Sequence, residues 1–235
     1  MTYSPPRNYR GFIRYIHDRD GERGREWFHV SVQQDGHRSL HAHCEMDDEQ
    51  LLRDVSYSLD GDWRPLDAYV RLVRDGVPQG SAWFHFDNLG VQCEADTLWQ
   101  GRVSQRHDLG CRPLLFAPHP LQSDGWQAAA YDFTRGPGRQ RLDPCANSSS
   151  RPDGGSGPMI GIVHKDLEYV DDERITVAAG TFAARHMRIH PLMPSMTHWT
   201  PLEFWVAGAD FQIIRMRWDL LQSSYELTEI SGDWR

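Results

Sequence analysis

The sequence predicts a mainly β domain: an antiparallel open or closed β-barrel with one main packed helix, residues 1–235 forming a single unit. Three observations carry this expectation. Short apolar–polar alternations, the period of a half-buried strand, recur along most of the chain between Gly- and Asp-containing turns. Only one stretch carries a helical stripe. Nine Trp, nine Phe and eight Tyr supply bulk for one sizeable core. No run of about 18 uncharged apolar residues exists, so no spanning helix is expected.

The first third reads as a meander. Residues 26–32 and 39–44 alternate on either side of Gln34-Asp35-Gly36. A two-residue Asp-Gly loop would pair Val30 with His41 and mix the two faces. A three-residue loop ending in a left-handed Gly36 pairs Val30 with Leu40 and Phe28 with Ala42. That register gathers Phe28, Val30, Leu40, Ala42 and Cys44 on one face and Trp27, His29, His41 and His43 on the other. Further strands are expected at 53–59, 67–74, 81–86 and 90–95, with turns at Asp60-Gly61, Asp75-Gly76 and Asn88-Leu89-Gly90.

Ser123 or Asp124 is placed to cap a helix running to about Thr134, because Trp126, Ala129, Ala130 and Phe133 fall at i, i+3, i+4 and i+7. Residues 135–158 contain thirteen Gly, Pro or Ser and are expected to be a flexible loop, lid or disordered insert. Strands resume at 159–164, 168–170, 175–177, 181–190, 202–206, 211–218 and 224–230, for about ten to twelve in all. That count suits a barrel or a strongly curved sheet around a helix.

Charge narrows the partners. The net charge is −8, and 24 Arg and a single Lys, Lys165, are scattered among 33 acidic residues. No basic stripe is present, so neither nucleic acid nor an anionic membrane is an expected partner. Met1-Thr2-Tyr3-Ser4-Pro5-Pro6-Arg7 lacks the basic start and apolar core of an export signal, so a cytoplasmic location is expected. Cys44, Cys93, Cys111 and Cys145 then read as free thiols, and no C-x-x-C pair suggests a redox or cysteine metal site. Gly-x-Ser-x-Gly, P-loop and His-Glu-x-x-His patterns are all absent, which argues against an α/β-hydrolase, a nucleotide-phosphate cradle and a zincin.

The segments Ser58-Leu59-Asp60-Gly61-Asp62-Trp63-Arg64-Pro65, Gly80-Ser81-Ala82-Trp83-Phe84 and Thr176-Val177-Ala178-Ala179-Gly180-Thr181-Phe182-Ala183-Ala184, with Glu203-Phe204-Trp205-Val206 and Tyr225-Glu226-Leu227, resemble bacterial DUF3108-like proteins of unassigned function. The best-matching part covers roughly the last 65 residues. The resemblance implies an open barrel of the lipocalin or lipoprotein-carrier kind, holding a hydrophobic ligand. It implies no catalytic motif.

Three constellations could carry chemistry. His29, His41 and His43 share one face of two paired strands and could offer three nitrogens to Zn or Fe with a position left open, or line a cavity, or sit on an ordinary exterior face. Trp27 and Trp83 lie beside these histidines and His85, and a Trp left in water is costly, so this face is expected to be covered by ligand or protein. Trp27, His43, Trp83 and Trp205 are the candidate ligand contacts. His29, His41, His85, Asp87 and Tyr57, with Glu45 nearby, are the candidate acid–base groups. Such a site suits hydration, dehydration, double-bond isomerisation or cyclisation of an apolar substrate. His186, Arg188 and His190, near His198 and Trp199, could bind an anion or form a solvated face.

The leading expectation is a binder of a small hydrophobic molecule, with cofactor-independent lyase or isomerase chemistry on that molecule as its extension. The alternatives are a metal-dependent enzyme built on His29, His41 and His43, and an interaction module whose aromatic face is buried against a partner or a second copy.

Overall fold

A computed structural model describes residues 5–192 and 199–234. Its strands in chain order are β1 (Arg7–His17), β2 (Gly21–Val32), β3 (Arg38–Met46), β4 (Leu51–Leu59), β5 (Pro65–Arg74), β6 (Val77–Asp87), β7 (Gly90–Thr97), β8 (Gly101–Asp108), β9 (Leu115–Ala117), β10 (Gly138–Asn147), β11 (Gly161–Val177), β12 (Gly180–Pro191), β13 (Leu202–Ala207), β14 (Gln212–Trp218) and β15 (Ser223–Gly232). They form one 15-stranded sheet in the order β8-β7-β6-β5-β4-β3-β2-β1-β15-β14-β13-β12-β11-β10-β9. Every pairing is antiparallel except β9 with β10.

The fold is therefore mainly β and barrel-like, but strand pairing does not close it. β8 and β9 remain edges, and a side chain bridges the gap near them. The Gln105 amide oxygen on β8 accepts from Ile160 N at 2.9 Å, and its nitrogen donates to Ile160 O at 3.5 Å. No helix among the described residues is long and apolar enough to cross a membrane.

The β2–β3 hairpin has the expected register: Val30 pairs with Leu40, His29 with His41 and Trp27 with His43. Gly36 sits at φ +85°, where a side chain would be strained. Four strands were not anticipated: β1, β8, β10 and the three-residue β9. β1 and β8 lack a clean alternation, and β10 lies inside the Gly/Pro/Ser-rich range expected to be a loop, pairing there with β9 and β11. The segments at 159–164, 168–170 and 175–177 join into the 17-residue β11, whose acidic run 171–173 faces solvent, with a register shift between Tyr169 and Asp171.

The expected helix is shorter and begins earlier. α1 spans Leu121–Gly125, and single 3-10 turns follow at Trp126–Ala130 and Phe133–Arg135. The sheet curls around this segment, so it is covered on all sides and a one-sided stripe is the wrong test. Trp126 packs against Tyr57 of β4 at 6.0 Å, and Phe116 against Phe84 of β6 at 4.9 Å. From the other half of the sheet, Gln122 accepts from Ile213 N at 3.3 Å. Gly125 is required by this approach, because a Cβ there would meet Phe211 O at 2.9 Å.

Neither Ser123 nor Asp124 caps the helix. Pro120 precedes it without a side-chain cap, and the acceptor comes from β2 instead. The fully buried Glu26 carboxylate accepts from Leu121 N at 2.8 Å and Gln122 N at 3.3 Å, and from the Tyr15 hydroxyl at 2.9 Å. Burial raises the Glu26 pKa, and these donors oppose the rise. Glu26→Ala orphans two buried N–H groups and should cost about 2–4 kcal/mol in chemical denaturation, with Glu26→Gln, which keeps an acceptor oxygen, costing less than half of that.

Candidate functional site

Apart from Glu26, two further charged side chains occupy inward positions of otherwise apolar alternations: Arg53 on β4 and Lys165 on β11. Both serve the buried segment or the loop over it. Arg53 donates to Asp153 O at 2.5 Å and His119 O at 3.4 Å. Lys165 Nζ donates to Gln127 Oε1 at 2.7 Å, and Gln127 Nε2 donates to Asp124 Oδ1 at 2.7 Å. The result is a buried Lys165–Gln127–Asp124 chain.

Above this chain lies a cavity of about 150 Å³. Ile189, Leu202, Met216, Trp218 and Tyr225 form an apolar wall from β12 to β15, with Trp199 beside them. Leu121, Asp124 and Gln127 contribute from the internal segment, and His119 and the 149–153 loop from above. The space is amphipathic, with an aromatic and aliphatic side and a compact polar end.

Lys165 dominates the electrostatics of that end. Arg23 pairs with Asp48 at 2.9 Å, Arg151 with Asp153, and His164 with Asp143 at 2.7 Å. Among the described residues no carboxylate lies within ion-pair distance of Lys165, although it is only 7% exposed. Burial pushes the Asp124 carboxyl up to about 7, against the lowering influence of Lys165. Burial pushes the His119 imidazole down to about 3, helped by nearby Arg53. His119 Nε2 is buried with no hydrogen-bond partner.

The expected site residues lie elsewhere. Trp27, His29, His41, Trp83 and His85 are on the outer face and exposed to solvent, each tryptophan 43% accessible, which corrects the expectation that this face is enclosed. The physical reason is competition for the concave side. Each strand offers it one face, and the more apolar set of Phe28, Val30, Leu40, Ala42 and Cys44 claims it. Stacking shields part of each indole: Trp27 lies on His43 at 5.9 Å and Trp83 on His85 at 5.3 Å.

Nor do the three histidines converge as metal ligands. His43 Nδ1 is 2.7 Å from Asp54, while Glu45 pairs with Arg25 at 2.6 Å. The group of ligand atoms brought together among the described residues is Asp171, Glu173 and His186. Asp87 ion-pairs with Arg106 at 2.7 Å and is held well below the usual carboxylate range by that hydrogen bond, so it is a poor proton carrier. Tyr57 does point inward, but it is packed between Phe116 and Trp126 away from the cavity, and burial raises its pKa strongly. Trp205 faces His186 and not the cavity.

Of the two readings of His186, Arg188 and His190, the anion site is not supported, since each faces a carboxylate: Glu203 for the first two and Glu168 for His190. His198 lies outside the described residues. Cys44, Cys93 and Cys145 are buried free thiols, and Cys111 is an exposed one.

Sequence reasoning missed Lys165, Gln127 and His119 as site residues and read Asp124 only as a cap. A signal for Lys165 was present. Residues 163, 165 and 167 alternate inward, so the chain's single lysine shares a face with the fully buried Leu167.

Two opposed pH dependences follow. Asp124 is protonated in the folded protein and ionised in the unfolded chain between 3.8 and about 7, so its contribution to stability is lost as pH rises through that window. His119 stays neutral when folded between about 3 and 6.5, where the unfolded chain takes up a proton, so its contribution is lost as pH falls through that window. Asp124→Asn should gain on the wild type as pH rises from 4 to 8, by about 2–4 kcal/mol at the upper end. His119→Asn, which tolerates the φ of +76° at this position, should gain on the wild type as pH falls from 6.5 to 4. Denaturant titrations across pH measure both differences.

No protein-family model and no curated protein matches the chain, so the DUF3108 likeness has no family model behind it. Solved structures do match. A beta-barrel-like protein of the domain of unknown function DUF1849, from Brucella abortus, is similar with a TM-score of 0.64 at 10% identity, over 97% of this chain and 98% of that one. A DUF1089 family protein from Pseudomonas aeruginosa matches with a TM-score of 0.47 at 13% identity, over 83% of this chain and 90% of that one. The first likeness shows a shared barrel-like fold.

Proposed function

We propose that the protein binds a small, mostly apolar molecule with an acidic end group in the cavity between the curled sheet and its internal helix. One observation carries the reading. Lys165 is a buried cation without a carboxylate partner, and it stands at the polar end of an otherwise aliphatic and aromatic space. A buried unpaired charge is costly, and a ligand carboxylate reaching Lys165 would relieve that cost while its apolar body displaces water from Ile189, Met216 and Trp218. The volume suits roughly ten water-sized groups, the size of a medium-chain carboxylic acid.

A second reading rests on Asp124. A carboxyl that ionises near neutral pH, lining the same cavity as a neutral imidazole, can give and take protons. Lyase or isomerase chemistry on a bound apolar substrate would then run through Asp124 and His119, in place of His29, His41, His85, Asp87 and Tyr57.

Octanoate and octanol separate the contributions. Calorimetry on the full chain should show octanoate binding, and Lys165→Met should weaken it by about tenfold or more while octanol binding changes little. Absence of octanoate binding, or equal binding by Lys165→Met, overturns the reading.

A further inference from the structure

We propose that His186, Asp171 and Glu173 form a site for a divalent first-row cation, best suited to Zn²⁺, on the outer face of β11 and β12. The three residues each offer one ligand atom, and these atoms lie within 4.8 Å of one another. His186 Nδ1 is 3.5 Å from Glu173 Oε1 and 3.7 Å from Asp171 Oδ1. Those separations are too long for good hydrogen bonds. They are close to the spacing of about 3.4 Å that bonds of 2.0–2.1 Å impose on neighbouring ligands of a tetrahedral ion. A shift of a few tenths of an ångström would complete the set.

The imidazole supplies the independent observation. Its side chain is only 9% exposed, and its Nε2 is fully buried with no hydrogen-bond partner. A buried imidazole lacking hydrogen bonds and facing carboxylates from both nitrogens is poorly explained as an ordinary surface histidine. It is the expected state of a ligand awaiting its ion. Nε2 faces Glu203 Oε2 at 3.5 Å, and Arg188 anchors that carboxylate at 2.8 Å. With the ion on Nδ1, the proton is fixed on Nε2 and directed at Glu203, the carboxylate–histidine–metal arrangement that orients a ligating imidazole.

Trp205 completes the setting. Its ring stacks on His186 at 4.4 Å and 16°, and its indole N–H donates to Glu173 Oε1 at 2.5 Å. The histidine and one carboxylate are therefore both held before any ion arrives. One nitrogen and two carboxylate oxygens favour Zn²⁺ over thiophilic ions. Three protein ligands leave a fourth position facing solvent, on the side of the exposed Asp171.

The site is independent of the cavity, and its test uses the metal alone. The full chain, stripped with chelator and dialysed, is titrated with Zn²⁺ by calorimetry, with Trp fluorescence under Co²⁺ as a second readout. The expected result is one Zn²⁺ per chain with Kd of about 10 µM or tighter, and Co²⁺ quenching of the indole stacked on His186. His186→Asn and Glu173→Gln should each weaken binding by about tenfold or more, and His41→Ala should not. Glu173→Gln keeps an acceptor for the Trp205 indole, so it tests the site even if His186→Asn fails to fold. Binding weaker than that limit, or binding that Glu173→Gln leaves unchanged, overturns the proposal.

Discussion

The structure depends on satisfying backbone polar groups inside an apolar shell. A sheet of this length curls around a short internal segment, and that segment brings unpaired N–H and C=O groups into the core. Five helical residues cannot satisfy their own first turn. The Glu26 carboxylate takes two of those N–H groups, and Gln122 bonds to the β14 region. Arg53 takes the His119 and Asp153 carbonyls. Each is a polar side chain at a buried position, and each is costly until its partner arrives. Once assembled they fix where the helix sits.

The cavity is a consequence of that placement. The helix packs close to β14 through Gly125 and is pinned to β2 by Glu26. Between it and β12–β15 the walls do not meet, and the lining is apolar along those strands and polar toward Lys165, the helix and the 149–153 loop. There Asp124 and Lys165 are separated by Gln127, which accepts from one and donates to the other. The amide keeps the two charges from neutralising each other directly. A carboxyl whose pKa burial pushes up to about 7 and a lysine with no carboxylate within ion-pair distance then share one small polar end, the feature on which the proposed binding of an acidic ligand rests.

The outer face follows different physics. Its aromatic residues are half covered by stacking on imidazoles, and its charges are paired across strands in water, where such pairs contribute little to stability. His186 departs from that pattern. Trp205 covers it, so its nitrogens lose water without gaining hydrogen bonds, and the acidic run of β11 places two carboxylates opposite. A bend in register between Tyr169 and Asp171 sets which residues of that run face it.

The sequence by itself determined the strand periods, most turns and the hairpin register, because a one-residue slip would move Phe28, Val30, Leu40 and Ala42 out of the core. The period-two alternation also carried a signal that went unread: Glu26 and Lys165 fall in phase with buried neighbours, and only the structure showed them inside. What alternation cannot give is which face becomes concave, since both faces of the β2–β3 hairpin carry large rings. Tertiary structure decided that by filling the inside with the 115–133 segment, leaving Trp27, His29, His41 and Trp83 outside. It likewise decided the helix cap, the Lys165–Gln127–Asp124 chain and the His186 cluster. Each joins residues far apart in the chain, whose proximity is set by how the sheet curls rather than by local spacing.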